Sequence, residues 1–245
     1  MPSDYEAIRE EHRLDYGRKV GNFGGVLVDL YSDRTHFLLE LLQNAQDARA
    51  TRVRFDLHPD RLEVRHDGRA FTEADVRGIC GIKESTKEDD PEQIGRFGVG
   101  FKSVYAYTSR PTVHCGDEHF EVQDYVLPHR ADPVDPGAGW STMQILPFDR
   151  SDVTPEDAVD QISRRLQRLS GRTILFLTNL TELEWFAPGG LSEHILRETR
   201  TDRAARRVSL LAGADAEITE FLGVCRDRGA EERQAETDGA GRTGS

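Results

Sequence analysis

Between Ile94 and Tyr107 the chain reads IGRFGVGFKSVYAY, three glycines in G-x-x-G-x-G order that run straight into an apolar segment. This junction restricts the fold more than any other stretch. Gly95, Gly98 and Gly100 let the backbone turn tightly and approach a neighbour closely. Phe101, Val104 and Tyr105 must then anchor the following helix-like run in a core. Backbone N–H groups in such a loop can face an anion. Two common phosphate loops do not fit. The dinucleotide order G-x-G-x-x-G is reversed here and follows a charged loop rather than a strand. Gly95 and Gly100 have the P-loop spacing, but Phe101 separates Gly100 from Lys102-Ser103.

The surrounding patterns supply the elements. THFLLELLQNAQDARA carries Leu38, Leu41, Leu42, Ala45 and Ala48 as an apolar helical stripe. TRVRFDLH and RLEVRH alternate, with Val53, Phe55, Leu57, Leu62 and Val64 on one side and Pro59-Asp60 as the hairpin turn. Thr72 is a helix N-cap for EADVRGIC. Residues 81–93, GIKESTKEDDPEQ, are charged and unpatterned and read as a loop. Further strands are expected at 112–115, 119–126, 141–148 and 172–180, and helices at 155–169 and 191–199. Two short strands near 207–211 and 217–224 close the pattern. The mixed order predicts an α+β fold, a two-layer α/β sandwich with a mixed, mostly antiparallel sheet and helices on one face. Residues 1–19 are read as an N-terminal helical segment, 20–225 as the domain, and the apolar-poor 226–245 as a disordered tail.

With 245 residues and a formal charge of −12, the chain can bury a sizeable core and has little non-specific affinity for nucleic acid. Cys80, Cys115 and Cys225 are odd in number and show neither a disulfide framework nor a zinc spacing. A polar, acidic N-terminus and short apolar runs predict a cytoplasmic chain without membrane association.

Glu40, Asn44 and Asp47 fall at i, i+4 and i+7, within roughly 60° of one another around a helix and beside its apolar stripe. A helix shoulder of this kind can offer an amide oxygen to a hard cation such as Mg²⁺ and a carboxylate to a water. Taken alone, a polar helix edge is the plainer reading. Asp67-Gly68 in HDGRAFT reads as a turn, or as an acceptor for an amino group beside a glycine that admits a flat ring. His114, Cys115, His119 and His129 read as core and surface side chains of strands rather than a metal site.

Taken in order, ELLQNAQDA, HDGRAF and IGRFGVGFKSVY resemble the nucleotide-binding domain shared by gyrase, the ninety-kilodalton heat-shock chaperones, histidine kinases and MutL. This is the GHKL or Bergerat fold. Ser85-Thr86-Lys87 and the glycine run are most like the chaperone and sacsin-type branch. The resemblance spans roughly residues 20–185 and implies ATP and Mg²⁺ as cofactors. By that resemblance Glu40 activates the attacking water and Asn44 holds Mg²⁺. Asp47 and Ala48 line the purine site, together with Phe71, and residues 81–93 form a lid in which Lys87 reaches a phosphate. Backbone amides from Gly95 to Lys102 wrap the phosphates, over Gly95, Phe97, Gly98, Val99, Gly100, Phe101 and Lys102. In strict register with Phe71-Thr72, His66 occupies the position of the adenine-reading aspartate; one deletion puts Asp67 there, and Asp67 is the favoured choice. Thr173, at the start of the strand expected at 172–180, supports that contact. Ala70 stands where the usual pattern has a second glycine. The basic residue that chaperone-type members draw from a following domain has no candidate here. Slow ATP hydrolysis driving a conformational switch, with a protein client or a nucleotide-dependent dimer, is therefore the expectation. A nucleotide-binding module without turnover is the alternative.

Overall fold

The alternation in residues 52–66 sets the centre of the molecule. In the computed structural model, which describes residues 1–16, 33–81, 100–169, 171–201, 205–212 and 217–224, β1 (Arg52–Leu57) and β2 (Arg61–His66) form the expected antiparallel hairpin. Val53, Phe55, Leu57, Leu62 and Val64 are buried on one face. The other face carries Arg54, Asp56, Arg61, Glu63 and Arg65, neutralised by ion pairs across the ladder, Arg65–Asp56 at 2.5 Å, and along β2, Arg61–Glu63 at 2.8 Å. Helices therefore have one apolar face to cover.

The sheet continues through β3 (Thr112–Cys115), β4 (Glu118–Gln123), β5 (Leu127–Arg130), β6 (Thr142–Pro147), β7 (Glu182–Ala187), β8 (Leu191–Thr201), β9 (Ala205–Ala212) and β10 (Glu217–Val224). Its order is β10-β9-β8-β7-β1-β2-β6-β3-β4-β5. All neighbouring pairs are antiparallel except β1 with β7, so the sheet is mixed and mostly antiparallel as expected. Against it pack α2 (Phe37–Asp47), α3 (Glu73–Cys80) and α4 (Pro155–Leu166). The N-terminal α1 (Tyr5–Tyr16) docks on β4 and β5, where Ser3 and Tyr5 donate to Glu118 and Arg9 donates to the Pro128 carbonyl.

The run after Gly100 is a 3₁₀ helix, Phe101–Ala106. Phe101, Val104 and Tyr105 are buried, as their apolar character requires. Tyr107 closes the layer, its ring 5.4 Å from Phe37 and its hydroxyl 2.9 Å from Gln161 on α4.

Two expectations are corrected. Residues 172–180 are not a strand: Gly171–Leu175 form the short helix α5, and the strand begins at Glu182. Ile174, Leu177 and Leu180 are buried at three-residue spacing while Phe176 is 85% exposed, so the run fills the core from one side as a turn does. Arg197 of β8 donates to the Ile174, Leu177 and Thr178 carbonyls that end this turn. Residues 191–199 are not a helix either. Gly189 and Gly190 both take positive φ (81° and 79°), which folds the chain back so that Leu191–Leu196 of β8 pair with β7. The pairing partner outweighed the amphipathic pattern of LSEHILRETR.

Candidate nucleotide-binding site

α2 places its polar edge by burying its stripe. Phe37, Leu38, Leu41, Leu42 and Ala45 are buried, which leaves Glu40 and Asn44 half-buried at the margin. The helix stops at Asp47, and Arg49, at φ 58°, reverses the chain into β1. The Arg69 N–H then donates to the Ala48 carbonyl at 2.8 Å and brings the loop after β2 onto the helix end. Gly68 makes this approach possible. A Cβ there would lie 2.8 Å from the Ala48 oxygen and 3.0 Å from His66 Nδ1.

The same loop is held from two further directions. Arg69 forms a bidentate ion pair with Asp75 (2.6 and 2.7 Å), and Thr72 and Asp75 make a capping box at the start of α3. Arg69 holds the Asp75 carboxyl well down, at about 2. From the sheet side, Ser141 donates to the Gly68 carbonyl, and Cys115 Sγ accepts from the Phe71 N–H and the Thr142 hydroxyl.

Between these elements lies a partly enclosed pocket. α2 contributes Asn44 and Ala48, and the sheet contributes His66 from β2 and Gln144 from β6. Arg69, Phe71 and Asp75 form one wall, Ile79 and Phe101 another. Gln144 Oε1 is buried without a hydrogen-bond partner. His66 is also buried, and burial pushes its pKa down to about 4 against the opposing pull of Asp67. The ring is therefore neutral at pH 7. Its Nδ1 accepts from the Gly68 N–H at 3.2 Å.

Glu40 stands one turn before Asn44 and meets the glycine run. A Cβ on Gly100 would lie 2.1 Å from Glu40 Oε2, so the carboxylate rests against the bare Cα. Its Oε1 is 3.5 Å from His36 Nδ1.

Residues 61–132 match the family model described as Sacsin domain. The chain is 30% identical over 178 residues to Protein NO VEIN of Arabidopsis thaliana, covering 62% of this chain and 6% of that protein. It is 34% identical over 109 residues to human Sacsin, 38% of this chain and 2% of that one. It is also 30% identical over 122 residues to Chaperone protein HtpG of Geobacter sulfurreducens, 36% of this chain and 19% of that one. Over these segments the chain is similar to sacsin. It matches a small part of the length of each of these relatives.

The structure brings Asn44, Ala48, Phe71 and Phe101 to one pocket, with Glu40 and Gly100 in mutual contact beside it. Lys87, Gly95, Phe97, Gly98 and Val99, with all but Gly81 of the 81–93 loop, lie outside the described residues. Three expectations are corrected, those for Asp67, Thr173 and Asp47. Asp67 does not face the pocket: it follows His66 in an extended stretch and points the other way. Its carboxylate accepts from the Thr51 and Arg52 N–H groups (2.7 and 2.8 Å), the Thr51 hydroxyl (2.5 Å) and the Arg52 guanidinium (3.4 Å). Burial alone would raise its pKa, but those donors hold it below the usual value. The position facing the pocket is His66, as strict register has it.

Thr173 sits in α5 and does not line the pocket. Thr142 stands directly opposite His66 in the β2–β6 ladder instead. Asp47 is exposed and accepts from Gln43 Nε2. The Lys102 ammonium turns inward to the Ile79 and Tyr125 carbonyls, and burial lowers its pKa to about 8. Gln144, Thr142, Arg69 and Asp75 were missed from sequence. The alternation of STMQILPF already put Thr142 and Gln144 on one face; what it lacked was the partner strand.

Proposed function

We propose that this chain binds ATP in the pocket between α2 and the β2–β6 strands and hydrolyses it slowly with Mg²⁺, as a nucleotide-driven conformational switch. One observation carries the reading: residues from three distant segments, Asn44 and Ala48, then His66, Arg69 and Phe71, and Phe101, surround one pocket with Glu40 at Gly100 beside it. Phe71, Phe101 and Ile79 offer flat apolar walls, and the unpartnered Gln144 Oε1 offers a polar contact, a combination suited to a heteroaromatic base. Asn44 is the residue that would hold Mg²⁺ through its amide oxygen; the ion, when bound, neutralises phosphate charge. Glu40, one turn earlier, takes a proton from the attacking water.

A protein client or a nucleotide-dependent dimer would read out the switch, in a cytoplasmic setting. No helix among the described residues is long and apolar enough to cross a membrane, and the charge of −12 disfavours a nucleic-acid partner. Binding without turnover is the second reading, favoured by the inward turn of Lys102, the basic side chain next to the glycine run.

Thermal unfolding with Mg·ATP tests binding. Ligand at about 100 times its dissociation constant stabilises by about 2.7 kcal/mol, a shift of roughly 5–11 °C at this size. No shift would refute the reading. In Glu40→Ala, affinity is expected to persist and phosphate release to stop. Equal turnover in wild type and variant would remove Glu40 from the chemistry, and binding with no turnover in the wild type would leave the second reading.

A further inference from the structure

We propose that Glu182, Glu184 and His194, on the face of the sheet turned away from the helices, form a site for a first-row divalent cation, Zn²⁺ in preference to Mg²⁺. The site is separate from the nucleotide pocket and does not rest on the nucleotide reading.

The strand pairing builds it. Leu183 and Trp185 of β7 stand beside Val53 and Phe55 of β1 and are buried with them, so Glu182 and Glu184 project from the opposite face. In the β7–β8 ladder Glu184 lies directly opposite His194, and Glu182 is the diagonal neighbour of the same histidine. His194 Nε2 is 2.9 Å from Glu182 Oε1 and 3.7 Å from Glu184 Oε1. One ligand atom from each of the three residues lies within 4.8 Å of the other two. Metal–nitrogen and metal–oxygen bonds of about 2.0–2.2 Å at a tetrahedral centre set their ligand atoms about 3.3–3.6 Å apart. The two histidine separations bracket that spacing, so small side-chain rotations bring the three ligands onto one ion.

Charge points the same way. The Glu182 and Glu184 side chains are only 25% and 24% exposed, and at this range their carboxylates repel. The guanidinium groups beside them are engaged elsewhere. Arg52, opposite Glu182 in β1, pairs with Asp67 and donates to the Gly139 carbonyl. Arg54, opposite Glu184, donates through Nε and Nη2 to Asp56 and reaches Glu184 only through Nη1, at 4.0 Å. On the other side Glu182 faces the apolar Leu196. Two half-buried carboxylates thus share one imidazole and the far edge of one guanidinium, and a dication supplies the charge they lack.

The ligand set selects the ion. One imidazole nitrogen with two carboxylate oxygens suits Zn²⁺ and its first-row neighbours, whereas Mg²⁺ favours oxygen ligands and keeps its waters. Three protein ligands leave the fourth position to water. The site also sits at a junction: Glu182–Leu196 is the last pair of the β7–β8 ladder, beyond which β8 runs on beside β9. A bound ion clamps the β8–β10 strands to the central sheet at that point.

The test is Zn²⁺ titration calorimetry on the untagged full chain, dialysed against chelator and free of nucleotide. One equivalent is expected to bind, and about a thousandfold excess of Mg²⁺ should not displace it. Loss of an outer-shell partner alone costs a metal site about 10–100-fold, so His194→Ala and Glu184→Gln, which remove direct ligands, should each weaken Zn²⁺ by about 100-fold or more. Zn²⁺ at about 100 times its dissociation constant should raise the wild-type melting temperature by roughly 5–11 °C and that of either variant by less than about 2 °C. Co²⁺ in place of Zn²⁺ should give visible d–d bands without the near-ultraviolet band of a cobalt–thiolate bond. A thiolate band would move the metal to a cysteine and overturn the proposal. Equal Zn²⁺ affinity in wild type and a folded variant, or no equivalent bound by wild type, would overturn it too. His194 is 48% exposed and Glu184→Gln keeps the side-chain shape, so both variants are expected to fold; if one does not, the other decides. With no nucleotide present, this site and the nucleotide pocket can each fail without the other.

Discussion

Replacing Asp67 with asparagine separates a structural role from a ligand-reading one. The Asp67 carboxylate accepts four hydrogen bonds, two from backbone N–H groups at the start of β1 and two from the Thr51 and Arg52 side chains. Asparagine keeps one oxygen for the Thr51 and Arg52 amides. It presents an NH₂ group where Oδ2 stood, facing the donor Arg52 Nε at 3.4 Å, and it removes the charge. Hydrogen bonds to a charged group are worth about 1.5–3 kcal/mol each. The side chain is 19% exposed, so water recovers part of the loss, and a cost of about 1–2 kcal/mol follows. At this size that lowers the melting temperature by roughly 2–8 °C. Nucleotide affinity should stay within about threefold of wild type, because the pocket wall is His66. Calorimetric melting and titration with Mg·ATP on the same preparation measure both quantities. Unchanged stability together with lost ATP binding would refute the geometry argued for the β2 end.

Gly68→Ala should cost about 1–3 kcal/mol, seen as a lowered urea midpoint, since its Cβ meets the Ala48 carbonyl at 2.8 Å and that oxygen is fixed by the Arg69 N–H; a variant as stable as wild type would show that the contact can open freely. Acidification should also destabilise the fold. Unfolded His66 takes a proton near pH 6.5, whereas the folded ring, buried, resists to about pH 4. The unfolded state therefore binds more protons between those values, and stability falls as pH falls from about 6.5 to 4, by about 3 kcal/mol from His66. His114, lowered to about 4 by burial and by His119, acts in the same direction. Urea midpoints measured from pH 7 to 4 on wild type and His66→Asn should show a shallower slope in the variant; parallel slopes would place the proton uptake elsewhere.

What the sequence determined by itself is what short-range periodicity can carry. The stripe of α2, the β1–β2 alternation around Pro59-Asp60, the Thr72 cap and the burial of Phe101, Val104 and Tyr105 depend on neighbours a few residues away, and all stand in the structure. The contacts of Asn44, Ala48, Phe71 and Phe101 with one pocket were legible too, because motif order encodes which segments meet. Tertiary structure decided the rest. Whether His66 or Asp67 faces the pocket is a matter of strand parity, and a one-residue shift in alignment reverses it; only pairing with β6 fixes which side is inward. The apolar run at 172–180 and the amphipathic 191–199 suit either secondary structure locally, and the choice fell to what they pack against: Arg197 closing the α5 turn, and β7 and β9 flanking β8. Gln144 became a candidate for the same reason. Its chemistry is ordinary in the sequence, and its meaning comes from a buried oxygen left unpaired beside His66.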